Sequence, residues 1–320
     1  MLRPMPIATW PPAVIPSPGR NSADRRYGRT ETRGAAVTQG QKMTERKLAG
    51  KVVMMTGAGR GLGRSMALAL AREGAKLALV DLDGEELQQV AGEVQDIGGR
   101  ESVIPLGADV CDPDSSATAV FYAIENFGRL DVLFNNAALG PQAVAADPYG
   151  NPPKFWELDP YTFTRMVDVN AAGPQLMAAS AVPNMLQNGW GRIVNITTAL
   201  DAMYVPGMGA YGPSKAALEA HTAIMARDLE GTGVTANVLI PGGPANTRMI
   251  PDATGIPREA LIQPEEMQEP AVWLASVQSD GHNGERFIAG HWADGLGKAS
   301  APCAWPQLGK QAILPKSVAR

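Results

Sequence analysis

Tyr211 and Lys215 are the two residues whose types and spacing best suit proton-transfer chemistry. They are four residues apart, so in a helix they lie on one face, one turn from each other. A tyrosine hydroxyl normally loses its proton near pH ~10, and an adjacent lysine ammonium favours the ionised form. The pair would bring the phenol closer to physiological pH, where it could act as a general acid or base. An amphipathic helix with a solvent-exposed Tyr–Lys pair is the alternative.

A glycine-rich segment follows the first apolar stretch and reads Thr-Gly-Ala-Gly-Arg-Gly-Leu-Gly, with glycines at Gly57, Gly59, Gly61 and Gly63. Glycines permit a tight turn and let a pyrophosphate approach the backbone. A helix that begins there would present free N–H groups and its positive end to phosphate. The segment therefore predicts a dinucleotide site that also includes Arg60 and Leu62. The alternative is a turn that only packs.

Asp81 ends the second apolar stretch, 24 residues after Gly57. A carboxylate there accepts hydrogen bonds from both hydroxyls of an adenosine ribose and repels a 2′-phosphate. Leu82 follows where a cation would favour that phosphate, so we expect NAD as the preferred cofactor. Arg60 argues for NADP, because its guanidinium could pair with the phosphate. The alternative for Asp81 is a solvated turn acid, a role that suits Asp83.

Strand and helix patterns alternate from residue 51 onward and place these residues at strand ends. The predicted strands are residues 52–55, 77–80, 103–106, 131–134, 193–196, 234–240 and 286–289. The predicted helices are residues 64–73, 85–97, 115–127 and 214–230, with one long helix or two closely joined helices at 160–186. Such alternation forms parallel βαβ units. We therefore predict an α/β fold with a single doubly wound (Rossmann) parallel sheet of about seven strands, helices on both faces, and ligands at the strands' carboxyl ends.

Seven motifs in order resemble those of the short-chain dehydrogenase/reductase family over about residues 48–292. The glycine-rich segment resembles TGxxxGxG, and Tyr211 to Lys215 matches YxxxK. The other five are Ala108-Asp109-Val110, Asn135-Asn136-Ala137-Ala138, Val169-Asn170, Asn195-Ile196-Thr197-Thr198, and Pro241-Gly242 followed by Thr247. Two positions depart from the family pattern, since Ala138 stands where Gly is usual and Thr198 where Ser is usual.

The resemblance implies a nicotinamide cofactor held by residues of several motifs. These residues are Gly57, Arg60, Gly61, Leu62, Gly63, Asp81, Asp109, Val110, Asn136, Ala137, Tyr211, Lys215, Pro241, Gly242 and Thr247. By resemblance, Asp109 contacts the adenine, Asn136 braces the central strands, and Lys215 also holds the nicotinamide ribose. The implied reaction is hydride transfer between nicotinamide and a carbonyl or alcohol carbon, with the proton passing through Tyr211.

The resemblance also implies a catalytic set of Tyr211, Lys215, Thr198 and Asn170. Thr198 lies 13 residues before Tyr211, where the family has a substrate-polarising serine. Threonine keeps the hydroxyl donor, but its methyl group restricts χ1 and narrows the pocket. Thr197 is the alternative hydroxyl, and a β-branched residue that ends a strand is the alternative role. Asn170 would hold a water in a proton relay to Lys215, or else satisfy helix backbone as a buried asparagine.

Composition narrows the function classes. Of the 320 residues, 45% are hydrophobic and 19% are charged, and the formal net charge is −4, so we expect no nucleic-acid partner. The longest apolar candidate, residues 171–186, contains Pro174 and Pro183, so we expect no membrane span. Neither Cys111 and Cys303 nor the three histidines show metal-ligand spacing, so we expect no metal.

The chain divides into three segments by composition. We expect a disordered or weakly ordered N-terminal extension at residues 1–47, one Rossmann domain at 48–295 and a C-terminal tail at 296–320. The extension is rich in proline and arginine and lacks the apolar core of a secretory signal. We expect a cytoplasmic protein; an arginine-rich transit peptide and a later start at Met43 stay open.

Two connections are expected to select the substrate. Residues 140–154 are rich in Pro, Ala and Gly, and residues 243–263 resemble a mobile flap. Without an Arg or Lys cluster for a phosphorylated substrate, we expect a small hydrophobic or modestly polar secondary alcohol and its ketone.

The helices at 160–186 and 214–230 are those with which the family forms tetramers and dimers. We therefore expect a homo-oligomer, although a helix packed on its own sheet shows a similar pattern. Two other functions stay open: a non-catalytic dinucleotide-binding regulator on the same fold, and an NADPH-dependent biosynthetic reductase.

Overall fold

A computed structural model of the chain describes residues 46–292 and 301–302. Seven strands of this part are β1 (Val52–Thr56), β2 (Lys76–Asp81), β3 (Val103–Gly107), β4 (Val132–Asn135), β5 (Gly191–Ile196), β6 (Val234–Ile240) and β7 (Glu285–Ile288). They form one parallel sheet in the order β3-β2-β1-β4-β5-β6-β7. The predicted fold class is confirmed.

A short eighth strand, β8 (Ala301–Pro302), extends the sheet beyond β7. It runs antiparallel, with Arg286 opposite Ala301. This strand lies in the segment that the sequence assigned to a C-terminal tail, and two residues are too few for an alternating pattern to show. The rest of that tail and nearly all of the N-terminal extension lie outside the described residues, so the segment boundaries stay predictions.

Seven α-helices of the described part surround the sheet. They are α1 (Gly61–Arg72), α2 (Gly84–Gly98), α3 (Pro113–Phe127), α4 (Pro160–Val167), α5 (Gly173–Asn188), α6 (Tyr211–Asp228) and α7 (Gln268–Ala275). A π-helical turn, Asp168–Ala172, joins α4 to α5, so the long helical segment is two closely joined helices. Helix α7 was not predicted, because it has only eight residues and contains Pro270.

The starts of three helices follow from their local sequence. The side chains of Asp83, Asp112 and Asp159 accept hydrogen bonds from the first-turn N–H groups of α2, α3 and α4. Helix α1 begins at Gly61 without such a cap, three residues earlier than predicted. The glycines that make its first turn have no apolar side chains, so the apolar pattern does not extend to the helix start.

Alternate residues of each strand pack into two apolar layers. Val53 and Met55 of β1 pack in the layer that contains α1, α2 and α7. Val52 and Met54 pack in the layer that contains α3, α5 and α6. Helices on both faces explain why these strands are apolar throughout rather than alternating.

The strand order reverses at β1, whose neighbours are β2 on one side and β4 on the other. The helices that leave from the two sides lie on opposite faces, which opens a crevice at the carboxyl ends of the central strands. None of the described helices combines the length and apolar character that crossing a membrane requires. Within the described residues, no group of three His, Cys, Asp or Glu side chains could hold a metal ion.

Candidate active site

The turn after β1 packs so closely on its neighbours that its glycines leave no room for a side chain. Gly57 has a φ of 63°, and a Cβ there would lie 2.8 Å from the Cα of Ala137. A Cβ at Gly63 would lie 2.1 Å from the carbonyl oxygen of Gly57. Asn136 Nδ2 donates to the carbonyls of Thr56 and Gly57, at 3.0 and 2.9 Å. The asparagine therefore ties the end of β4 to this turn.

The N-terminus of α1 opens onto the same crevice. No side chain caps it and its first turn has no acidic residue, so its N–H groups suit an anion. A tight glycine backbone next to an uncapped helix N-terminus fits the pyrophosphate of a dinucleotide. Thr247, from the segment after β6, closes over this point, because its Cγ2 would lie 3.2 Å from a Cβ at Gly61.

Charged side chains gather at the end of β2. Asp81 Oδ2 accepts a hydrogen bond from the N–H of Gly59 at 2.8 Å, which fixes its carboxylate beside the glycine turn. Arg60 Nη1 lies 2.7 Å from Glu86 Oε2 on α2. Arg248 Nη1, from the segment after β6, lies 2.6 Å from Glu86 Oε1. Glu86 and Arg248 were not predicted from the sequence.

Asp109 and Val110 line the crevice after β3. The Asp109 carboxylate accepts hydrogen bonds from the Cys111 N–H at 2.9 Å and from Arg165 Nη2 at 3.0 Å. Burial by itself would raise the pKa of Asp109, but these hydrogen bonds outweigh it and hold that pKa below its usual range. Arg165, on α4, was not predicted.

Tyr211 begins α6 and lines the crevice together with Thr198. Burial raises the pKa of Tyr211 to about 12, while the side chain of Thr198 acts in the opposite direction. Lys215 Nζ donates to the carbonyl of Ile196 at 2.8 Å, and burial lowers the pKa of Lys215 to about 8. The Lys215 ammonium is not among the groups that act on the pKa of Tyr211, so burial sets the direction of this shift.

A buried ion pair lies behind Thr198. Glu219, one turn beyond Lys215 on the same face of α6, binds Arg286 of β7, with Arg286 Nε 2.9 Å from Glu219 Oε1. Glu219 Oε2 also accepts the Thr197 hydroxyl at 2.9 Å, and Arg286 Nη2 donates to the Thr198 carbonyl at 3.0 Å. The pair therefore holds both threonines from behind. It was not predicted, although the four-residue spacing from Lys215 to Glu219 was a usable signal.

Asn170 lies in the π-helical turn and is fully buried. Its Oδ1 accepts the N–H of Leu139 at 2.8 Å, and its Nδ2 donates to the Leu139 carbonyl at 2.8 Å and to Ser214 Oγ at 3.0 Å. The side chain therefore fixes the segment after β4 against α6. Its role in a water relay stays a prediction.

The predicted residues surround one cleft of about 670 Å³. Fourteen of the fifteen predicted cofactor residues, Tyr211 and Lys215 among them, line it together with Thr198, and the exception is Gly63. Asn170 also lies outside the lining. The connection at residues 140–154 contributes Gln142 and Tyr149, and the segment after β6 contributes Met249.

The family model for short chain dehydrogenases matches residues 51–254, which include the glycine turn, Thr198 and Tyr211. The chain belongs to the short-chain dehydrogenase/reductase family. It is thus an oxidoreductase of a family that uses NAD(P), on a Rossmann-type fold.

Individual proteins are similar over most of the domain. A short-chain type dehydrogenase/reductase from Picea abies is 36% identical over 203 residues, 61% of this chain and 71% of the relative. A 2,5-dichloro-2,5-cyclohexadiene-1,4-diol dehydrogenase from Sphingobium indicum is 31% identical over 259 residues, 78% of this chain and 99% of the relative. The crystal structure of NAD⁺-bound xylitol dehydrogenase is 25% identical and has a TM-score of 0.66, covering 75% of this chain and 97% of its own.

Proposed function

We propose that this protein is an NAD-dependent dehydrogenase or carbonyl reductase of secondary alcohols and ketones, with Tyr211 as general acid/base. The observation that carries the proposal is that Tyr211 and Thr198 line the same cleft, where the Thr198 side chain is close enough to lower the pKa of Tyr211. Two hydroxyls placed side by side can both bind one substrate oxygen, and Lys215 lies one turn behind Tyr211.

Each of these side chains has a separate role in the proposal. Tyr211 takes the proton from an alcohol or returns it to a ketone oxygen, and Thr198 donates a hydrogen bond to that oxygen. When bound, the nicotinamide supplies the hydride chemistry. Burial keeps Tyr211 protonated in the protein alone; a nearby positive charge favours its ionised form and would bring its pKa down. Lys215 holds the nicotinamide ribose, and Asn170 keeps its proposed place in the proton relay.

The charges at the adenosine end support NAD over NADP. Asp81 is held beside the glycine turn, where its carboxylate suits two ribose hydroxyls and repels a 2′-phosphate. Arg60, the residue that argued for NADP, is paired with Glu86. A paired guanidinium has less to offer a phosphate than a free one. Asp109 and Val110 complete the adenine side.

The substrate end of the cleft supports a modestly polar substrate. Its walls include Leu139, Met208 and Met249, with the polar groups of Gln142 and Tyr149 among them. Mixed walls of this kind bind small molecules of mainly apolar surface with a few oriented polar groups. The names of the Sphingobium relative and of the xylitol dehydrogenase both denote alcohol substrates, which agrees with this class.

We also propose a homo-oligomer, a tetramer or dimer, built on the helices of one face. Large apolar side chains of α3, α5 and α6 are exposed there: Phe121, Tyr122, Leu186 and Ile224. Apolar side chains grouped on a surface mark interaction sites. Light scattering coupled to gel filtration tests this proposal, and a monomer at micromolar concentration would contradict it.

The proposed reaction is tested by the absorbance of reduced cofactor with cyclohexanol, 1-phenylethanol and cyclohexane-1,2-diol, each with NAD⁺ and with NADP⁺. We expect turnover with NAD⁺ that collapses in Tyr211→Phe but persists in Tyr204→Phe, a control on an exposed tyrosine outside the cleft. Full turnover in Tyr211→Phe would overturn the mechanism. Cofactor binding without turnover on any alcohol or ketone would favour the non-catalytic regulator.

A further inference from the structure

Glu86 lies directly beside the carboxylate that is expected to bind the adenosine ribose. A Cβ built on Gly59 would be 3.1 Å from Asp81 Oδ2 and 3.3 Å from the Cβ of Glu86. The two acids therefore flank the same glycine of the turn. A phosphate on the 2′-hydroxyl of that ribose would meet both negative charges.

Glu86 also binds two arginines that come from different segments lining the cleft. Arg60, in the glycine turn, lies 2.7 Å from one carboxylate oxygen, and Arg248, in the flap after β6, lies 2.6 Å from the other. The arginine side chains are 54% and 73% exposed, whereas that of Glu86 is 21% exposed. Asp83 is a more distant partner, 3.8 Å from Arg60. Glu86 is thus the shared partner of two exposed cations.

We infer that Glu86 enforces the choice of NAD by holding Arg60 and Arg248 in ion pairs, so that neither can bind a 2′-phosphate. The inference rests on the proposed function, in particular on its cofactor. Guanidinium groups bind phosphate in a bidentate, charge-assisted manner once they are free of a competing carboxylate. Removing Glu86 would release both arginines to bind the phosphate and would also remove a negative charge that repels it. Both effects favour the phosphorylated cofactor.

The test measures binding of NADH and NADPH by cofactor fluorescence, which needs no substrate. In Glu86→Gln we expect NADPH affinity to rise about tenfold relative to NADH, and the gain to shrink with added salt. The matched control is Glu93→Gln. Glu93 binds Arg64 at 2.7 Å, in an ion pair that also joins α2 to α1 but lies outside the cleft lining. In Glu93→Gln the NADPH-to-NADH ratio should stay within about twofold of the unmodified protein.

A triple variant separates release of the arginines from loss of charge. Adding Arg60→Gln and Arg248→Gln to Glu86→Gln should remove most of the gain in relative NADPH affinity. A gain that survives in full in the triple variant would overturn the inference, because loss of repulsion alone would then explain it.

Two further outcomes would also overturn the inference. If the unmodified protein prefers NADH and Glu86→Gln leaves the NADPH-to-NADH affinity ratio unchanged, the role of Glu86 is overturned and the proposed cofactor is not. A preference of the unmodified protein for NADPH would overturn the proposed cofactor as well.

Discussion

The two ends of the cleft handle charge in different ways. At the adenosine end, Arg60 and Arg248 are 54% and 73% exposed and pair with a partly buried Glu86. At the catalytic end, Arg286 and Glu219 are 7% and 0% exposed, and each also holds a threonine. Exposed ion pairs contribute little and exchange partners easily, whereas a buried charge that loses its partner is costly. The catalytic end is therefore fixed before a ligand arrives, and the adenosine end can rearrange.

The largest effect should come from breaking the buried pair. In Glu219→Leu the Arg286 charge loses its carboxylate partner, and we expect the free energy of unfolding to fall by about 3–5 kcal/mol. Urea denaturation measures it. Glu93→Leu, at an exposed ion pair, should change the free energy by less than ~1 kcal/mol. Equal losses in the two variants would remove the contrast between the ends.

Thr198→Ala should have the next largest effect, on turnover rather than on stability. Loss of a preorganised donor to the reacting oxygen lowers kcat by about 10²–10³-fold. Thr198→Ser, which keeps the hydroxyl, should retain most of the activity, and NADH affinity should be unchanged in both variants. Normal kcat in Thr198→Ala would indicate that Thr197, not Thr198, donates the hydrogen bond to the substrate oxygen. In this structure the Thr197 hydroxyl is bound to Glu219.

Lys215→Met should stabilise the protein while it abolishes function. Burial lowers the pKa of Lys215 from 10.5 to about 8, a cost of about 3 kcal/mol at neutral pH. The lost hydrogen bond to Ile196 offsets about 1 kcal/mol of the gain, so we expect about 2 kcal/mol at pH ~7.

The pH dependence of that gain supplies the check. The folded state binds fewer protons than the unfolded state between pH 8 and 10.5, so the unmodified protein gains stability from this group as pH rises through that window. The advantage of Lys215→Met should therefore be constant below pH ~8 and vanish towards pH ~10.5. A pH-independent difference in urea denaturation would contradict this account.

Arg60→Gln should have the smallest effect on stability. Its ion pair with Glu86 is largely exposed, and we expect the free energy of unfolding to change by less than ~0.5 kcal/mol. Urea denaturation with and without added salt measures this difference. A loss comparable to that of Glu219→Leu would show that the adenosine end is also fixed in advance.

Much of the fold follows from local sequence. Apolar stretches and helix caps such as Asp83 and Asp112 depend on neighbours in the chain, so the seven parallel strands and six of the helices could be predicted. Helix α7 could not be predicted, because it is short and contains Pro270. Strand β8 could not be predicted either, because two residues are too few to show an alternating pattern. The start of α1 was placed too late, because glycines leave no apolar pattern.

The site divides in the same way. By itself the sequence determined the glycine turn, Asp81, and the Tyr211–Lys215 pair, since each depends on a spacing within one element or on a motif at a strand end. Only the tertiary structure decided that Glu219 meets Arg286, 67 residues away, and that Glu86 joins Arg60 to Arg248. It also decided that burial raises the pKa of Tyr211, because desolvation depends on everything packed around the phenol and not on the lysine four residues along.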